Sequence, residues 1–92
     1  MIQSFACKAT AKLFAVGSHK RFVNIRAVAL RKLDMLHAAT SVEDLRAPPS
    51  NRLEALKGNR KGQHSIRIND QWRVCFVWRN GHAHDVEIID YH

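Results

Sequence analysis

The triplet Asp90-Tyr91-His92 sets a carboxylate, a phenol, an imidazole and the α-carboxylate side by side. Their reference pKa values run from about 3.5 to about 10, so the triplet could hold both a proton acceptor and a proton donor. The opposing expectation is a frayed chain end, because terminal residues are commonly untethered. A second group is cationic. Arg67 and Arg73 fall on the polar rows of neighbouring alternating runs, and Lys57-Gly58-Asn59-Arg60-Lys61-Gly62 is a flexible basic loop just upstream. Arg presents a planar fork to phosphate, so loop and Arg-bearing face make a phosphate track. The competing reading is a charged surface that only keeps the protein soluble.

Other chemistries find less support. His82 and His84 have His-x-His spacing, which puts both on one side of a strand, with Asp90 and His92 as possible companions for a metal. Zinc needs three or four ligands and a supporting shell, and Cys75 has no partner to offer, so no metal is expected. Cys7 and Cys75 are far apart without Cys-x-x-Cys spacing and read as reduced thiols. Ser65 and His64 are adjacent in a strand pattern and point to opposite faces, which excludes a nucleophile–base pair. The glycines are scattered, with no phosphate-cradling motif, and no cofactor is expected.

These groups must be positioned by one small domain spanning residues 1–92. Composition is ordinary for a globular chain, with 46% hydrophobic and 25% charged residues, but fifteen Lys and Arg against eight Asp and Glu leave +7. A surplus of that size favours polyanionic partners. The longest apolar runs are far below the roughly 20 residues of a membrane-spanning helix, no secretory signal is legible, and a cytoplasmic location is expected.

Pro48-Pro49 divides the chain. Before it, Met1–Phe5 is a weak strand-like opening and Ala9–Val16 a short helix closed by Gly17 and Ser18. Phe22, Ile25, Ala29, Leu33 and Leu36 form one face of a helix running to about Ala39. The charges Arg26, Arg31, Lys32 and Asp34 are expected on its solvated side. Ser41 with Asp44 reads as a capping box opening a turn over Val42–Leu45. After the prolines the period becomes two. His64, Ile66 and Ile68 form one strand row, and Trp72, Val74, Phe76 and Trp78 another, with Asn69-Asp70-Gln71 as the turn between them. Asn80-Gly81 is a hairpin signal leading to a final strand over about Ala83–Ile89. Tight turns require antiparallel pairing. The expected architecture is α+β, with N-terminal helices packed on one face of a small twisted antiparallel sheet.

The segments MIQSF, NRLEALKGNRKGQHSIRINDQWRVCFVW and VEIIDYH resemble, over essentially the whole chain, the HigB-type toxins of the RelE/ParE superfamily. The resemblance implies a RelE-like fold, ribosome-dependent cleavage of mRNA without a metal, and neutralisation by a HigA-type helix-turn-helix antitoxin. It also implies a monomeric toxin within a toxin–antitoxin hetero-oligomer. By position, the family's sheet arginine falls on Arg73, its loop lysine on Lys57, and its terminal acid, phenol and imidazole on Asp90, Tyr91 and His92. Glu54 stands where some relatives carry histidine and Gln71 where some carry asparagine, so Glu54 competes with Asp90 and His92 for the role of base. Arg60, Lys61, Arg67 and Gln71 are expected to contact RNA. The alternatives are a ParE-like gyrase inhibitor and a non-catalytic RNA-binding module.

Overall fold

A computed structural model describes residues 1–90; Tyr91 and His92 lie outside the described residues. The elements are α1 (Lys8–Val16), α2 (Arg26–Ala38), β1 (Glu54–Ala55), β2 (Gln63–Arg67), β3 (Trp72–Arg79) and β4 (His82–Asp90), with short 3₁₀ turns between them. The strands form an antiparallel sheet in the order β1-β2-β3-β4. Both helices pack on the face carrying Ile66, Val74, Phe76 and Ile88, all essentially without solvent contact. The expected α+β architecture therefore holds.

The apolar face expected between residues 22 and 39 is the buried one: Phe22, Ile25, Ala29, Leu33 and Leu36 all join the core. It is not one helix, however. Lys20–Ile25 is a 3₁₀ segment with a kink at Phe22, and the α-helix begins only at Arg26. The tighter turn stacks residues three apart, which lets Phe22 and Ile25 both reach the core; Phe22 meets Trp72 edge-on at 5.7 Å. The capping box is present, with Asp44 accepting from the Thr40 and Ser41 amides and Ser41 accepting from Glu43.

Lys32 corrects the expectation of a solvated charge. It is only 6% exposed and donates from Nζ to Asn51 Oδ1 at 2.6 Å. The side chain emerges between Ala29 and Leu36, at the margin of the apolar stripe, so its stem packs inward. Burial lowers its pKa, and the nearby Arg31 and Arg67 lower it further. Asn51 is wholly buried and its amide nitrogen donates to the carbonyls of Leu45 and Ala47. One side chain thus ties the segment before β1 to α2.

The strand β1 has no counterpart among the sequence expectations: two exposed residues carry no periodicity. It exists because Glu54 and Ala55 find antiparallel partners in Ser65 and His64. The strand β4 carries a bulge. Between the pairs Cys75–Glu87 and Val77–His84 it spends one extra residue, with Asp85 in the left-handed region at φ 51°. The extra residue reverses the side-chain parity, so Ala83, Val86 and Ile88 all face the core. The N-terminal segment runs parallel along the outer edge of β4, with bridges from Ile2 to Ala83 and Phe5 to Val86. Farther along, Thr10 Oγ1 accepts from the Ile88 amide at 3.0 Å. Backbone groups of an exposed edge invite pairing with other chains, and here they are covered.

Asn51→Ala should lower stability by about 3 kcal/mol, because it leaves a buried ammonium and two carbonyls without partners. Urea unfolding measures this. The double variant Lys32→Met/Asn51→Leu should recover only part of the loss, since it removes the buried ammonium but leaves the Leu45 and Ala47 carbonyls without the Asn51 donor.

Candidate active site

On the sheet face away from the helices, pairing register lines up Glu54, Ser65, Cys75 and Glu87 across all four strands. The next row toward the sheet end is Arg67, Arg73 and Ile89. The face is less open than its polar pattern suggests, since Ser65, Arg73 and Cys75 are all buried.

Arg73 is the most constrained cation. Its Nε donates to Ser65 Oγ at 2.8 Å and a terminal nitrogen donates to the Arg52 carbonyl at 2.8 Å. Both acceptors are neutral, so they orient the guanidinium without cancelling its charge. Glu54 Oε1 lies 3.6 Å from the same guanidinium and 3.5 Å from Ser65 Oγ, and the Glu54 side chain is 48% exposed. Arg52 is in the left-handed region at φ 45°, a conformation that costs a non-glycine residue about 1 kcal/mol. That turn delivers its carbonyl to Arg73. Lys57 is exposed and borders an open cavity of about 290 Å³ with Glu54, Ala55 and Leu56.

The expected RNA contacts divide. Lys61 is exposed. Arg60 instead folds back over the sheet, donating to Glu87 Oε1 at 2.8 Å and Gln63 Oε1 at 3.0 Å. Arg67 is bound to Asp70. Gln71 Nε2 donates to Asp90 Oδ2 at 3.0 Å. Asp90 is in register with Trp72, whose row faces the helices, whereas Arg73 is opposite Ile89 on the other face. Register therefore brings Glu54 to Arg73 and sets Asp90 on the reverse side. The assignments to Tyr91 and His92 lie outside the described residues.

Three groups that hold the cations here, Ser65, Glu87 and the Arg52 carbonyl, are not given that part by the sequence. Ser65 shares the row of Arg67 and could have been found by parity. The Glu87 parity is hidden by the bulge at Asp85, and a backbone carbonyl such as that of Arg52 leaves no sequence signal. His82 and His84 do share one side of β4, opposite Arg79 and Val77, and the terminal amine lies 3.2 Å from His82 Nδ1. Among the described residues no group of three or more His, Cys, Asp or Glu is placed to hold a metal. No helix there is long and apolar enough to cross a membrane.

Cys75 lies among Arg60, Glu87, Arg73 and Glu54. Burial is the main cause that pushes its pKa up to about 11. Both cysteines are free thiols. For Cys7, at the start of α1, burial raises the pKa, but hydrogen bonds from Thr10 and Ala9 and the charge of Arg21 bring it below the usual value.

Helices on one face of a four-stranded antiparallel sheet make a RelE-like fold. Solved structures share the architecture: YafQ from E. coli strain BL21(DE3) has a TM-score of 0.62 at 10% identity, covering 98% of this chain and 93% of that one. YoeB in its complex with YefM from Staphylococcus aureus has a TM-score of 0.58 at 18% identity, covering 100% of this chain and 98% of that one. A family model for the RelE-like toxin of type II toxin–antitoxin system HigB matches residues 3–92, and the chain belongs to that family. It is 50% identical over 60 residues to Toxin HigB-1 of Vibrio cholerae serotype O1, covering 65% of this chain. It is 34% identical over 61 residues to Endoribonuclease HigB of Proteus vulgaris, covering 66% of this chain. These matches span 63% and 65% of the relatives' own lengths.

Thiol titration with an aromatic disulfide at mildly alkaline pH should modify Cys7 quickly in the native protein and Cys75 only after denaturation, because the thiolate is the reactive form. Arg60→Ala should make Cys75 reactive in the native state. Equal protection of Cys75 in that variant would show that Arg60 does not cover it.

Proposed function

We propose that this chain is the toxin of a type II toxin–antitoxin pair and cleaves mRNA on the ribosome, in the cytoplasm, without a metal ion. The observation that carries the reading is the anchored guanidinium of Arg73 beside the half-exposed carboxylate of Glu54, in a member of the HigB family. RNA brings its own nucleophile. The 2′-hydroxyl attacks the adjacent phosphorus, a 2′-O–P bond forms, the P–O5′ bond breaks, and a 2′,3′-cyclic phosphate is left. The protein supplies an acceptor for the 2′ proton, a donor for the departing 5′ oxygen, and cations for the charge that accumulates on phosphate.

Arg73 takes the phosphate charge. Its orientation by Ser65 and Arg52 is complete before substrate arrives, which is the condition under which such a donor lowers a barrier most. Lys57, on the solvent side, assists. Glu54 is the acceptor favoured by geometry, since an approaching phosphate displaces its carboxylate from Arg73 and leaves it beside the 2′-hydroxyl. Tyr91 and His92 are the candidates for the donor. Asp90 positions that end of the chain through Gln71 rather than sharing a face with Arg73. Arg60 and Arg67, already engaged with Glu87 and Asp70, contribute less to RNA binding than Lys57 and Lys61. A HigA-type antitoxin neutralises the monomeric toxin within a hetero-oligomer.

Single-turnover cleavage on programmed ribosomes tests the reading. Arg73→Ala should slow cleavage by about 10²–10³-fold while changing ribosome affinity much less, because the charge it meets develops during the reaction. Arg73→Lys should restore only part of the rate, as a point charge lacks the fork. Glu54→Gln should slow the step with the fold intact by circular dichroism. Removal of Tyr91 and His92 should abolish cleavage while the chain still folds. A wild-type chain that cuts no mRNA overturns the reading; gyrase inhibition or RNA binding without cleavage would then replace it.

A further inference from the structure

The chemistry of Arg73 and Glu54 depends on where Arg52 and β1 sit, and neither is secured by its own structure. A strand of two residues at the sheet edge is too short to hold itself in place. Arg52 occupies the left-handed region at φ 45°, which residues other than glycine seldom adopt. Leu45 and Leu56, buried on either side of Arg52, fix the depth of the segment against the core. Apolar contact has no direction, however, and a carbonyl that must meet a guanidinium has to be aimed.

Directed bonds come from Asn51, whose side chain is wholly buried. Its amide nitrogen lies 3.1 Å from the Leu45 carbonyl, 3.3 Å from the Ala47 carbonyl and 3.2 Å from Met35 Sδ, and its Oδ1 accepts from Lys32 Nζ at 2.6 Å. Lys32 and Met35 belong to α2. One amide therefore closes the 45–51 segment on itself and fastens it to the helix. Backbone bonds continue the arrangement, with the amides of Asn51 and Arg52 donating to the carbonyls of Pro48 and Pro49 at 2.9 and 3.1 Å. The next carbonyl, that of Arg52, is the one to which Arg73 donates. Two residues further on, Glu54 pairs with Ser65.

We infer that Asn51 is a positioning residue for the cleavage step: anchored on α2 by Lys32, it aims the Arg52 carbonyl at Arg73 and holds β1 so that Glu54 stands beside the guanidinium. Only the identity of the reaction rests on the proposed function. Asn51 acts on both groups through the backbone that it holds. Stability alone does not call for such a device, because apolar side chains filling the same space often hold two layers as well or better than a desolvated ammonium does. Apolar filling leaves the direction of the carbonyls unset. Misplacing a reacting group by about 1 Å is enough to slow a step about 100-fold, so the buried Lys32–Asn51 pair acts on the rate of cleavage rather than on the binding of RNA.

The test is single-turnover cleavage on programmed ribosomes by the full chain, beside amide hydrogen exchange of the free protein. Asn51→Asp keeps an acceptor for Lys32 and loses the donor to Leu45 and Ala47. Lys32→Met/Asn51→Leu keeps the space filled and loses the directed bonds. Both should fold by circular dichroism, bind ribosomes with nearly wild-type affinity, and cleave roughly 10- to 100-fold more slowly. The Leu56 amide, which donates to the Gln63 carbonyl at 2.8 Å, reports the docking of β1. In both variants its exchange should speed up by a larger factor than that of the amides pairing β3 with β4, which report global opening. Leu13→Ala, a cavity under α1, is the control: it should cost stability without slowing cleavage by the folded protein, and should speed Leu56 no more than the β3–β4 amides. Wild-type cleavage by both Asn51 variants overturns the inference. So does slowing that Leu13→Ala matches, which would reduce Asn51 to a general support of the fold, or a loss confined to ribosome affinity. A wild-type chain that cuts no mRNA defeats the proposed function instead, and exchange at Leu56 then decides by itself whether Asn51 holds β1.

Discussion

A guanidinium buried in a sheet face has to be met by acceptors, because an unpaired buried charge costs several kcal/mol. Arg73 is met by Ser65 on the neighbouring strand and by the carbonyl of Arg52. Much of the site follows from that requirement. To present its carbonyl, Arg52 turns left-handed, and the chain leaves it into β1, which places Glu54 in register with Ser65 and within 3.6 Å of the guanidinium. The segment before β1 is held in turn by Asn51, whose amide joins α2 to the carbonyls of Leu45 and Ala47. The helix layer and the candidate active site are therefore connected through one buried side chain, although they lie on opposite faces of the sheet.

The molecule also separates its charges by layer. Cations near Arg73 are answered by carboxylates, whereas those on α1 and around the start of α2 stand together without acids in their own segment. Concentrated charge on the helical layer suits long-range attraction, which falls with ionic strength.

The larger elements were legible because their periods are strong. Phe22, Ile25, Ala29, Leu33 and Leu36 recur as a helix face, and the Trp72–Trp78 row alternates as a half-buried strand; both are the surfaces that meet in the core. Arg73 as the sheet cation followed from the opposite row, and the Ser41–Asp44 box from its spacing. The burial of Lys32 is not legible in the same way, because a long charged side chain at the margin of an apolar stripe can turn either way, and only the presence of Asn51 across the interface decides it. Sequence carries no sign that Arg60, expected on RNA, engages Glu87, because that partner is 27 residues away and its parity is concealed by the bulge at Asp85.

The sequence by itself determined the class of the fold, the antiparallel pairing and the sheet face on which Arg73 lies. Each of these rests on local information: hydrophobic period, turn chemistry and strand parity. Tertiary structure alone decided which carboxylate stands beside Arg73. Glu54 reaches it through a two-residue strand with no period of its own, and Asp90 is turned to the other face because every residue of a strand reverses direction and the register of β4 against β3 is set by long-range pairing.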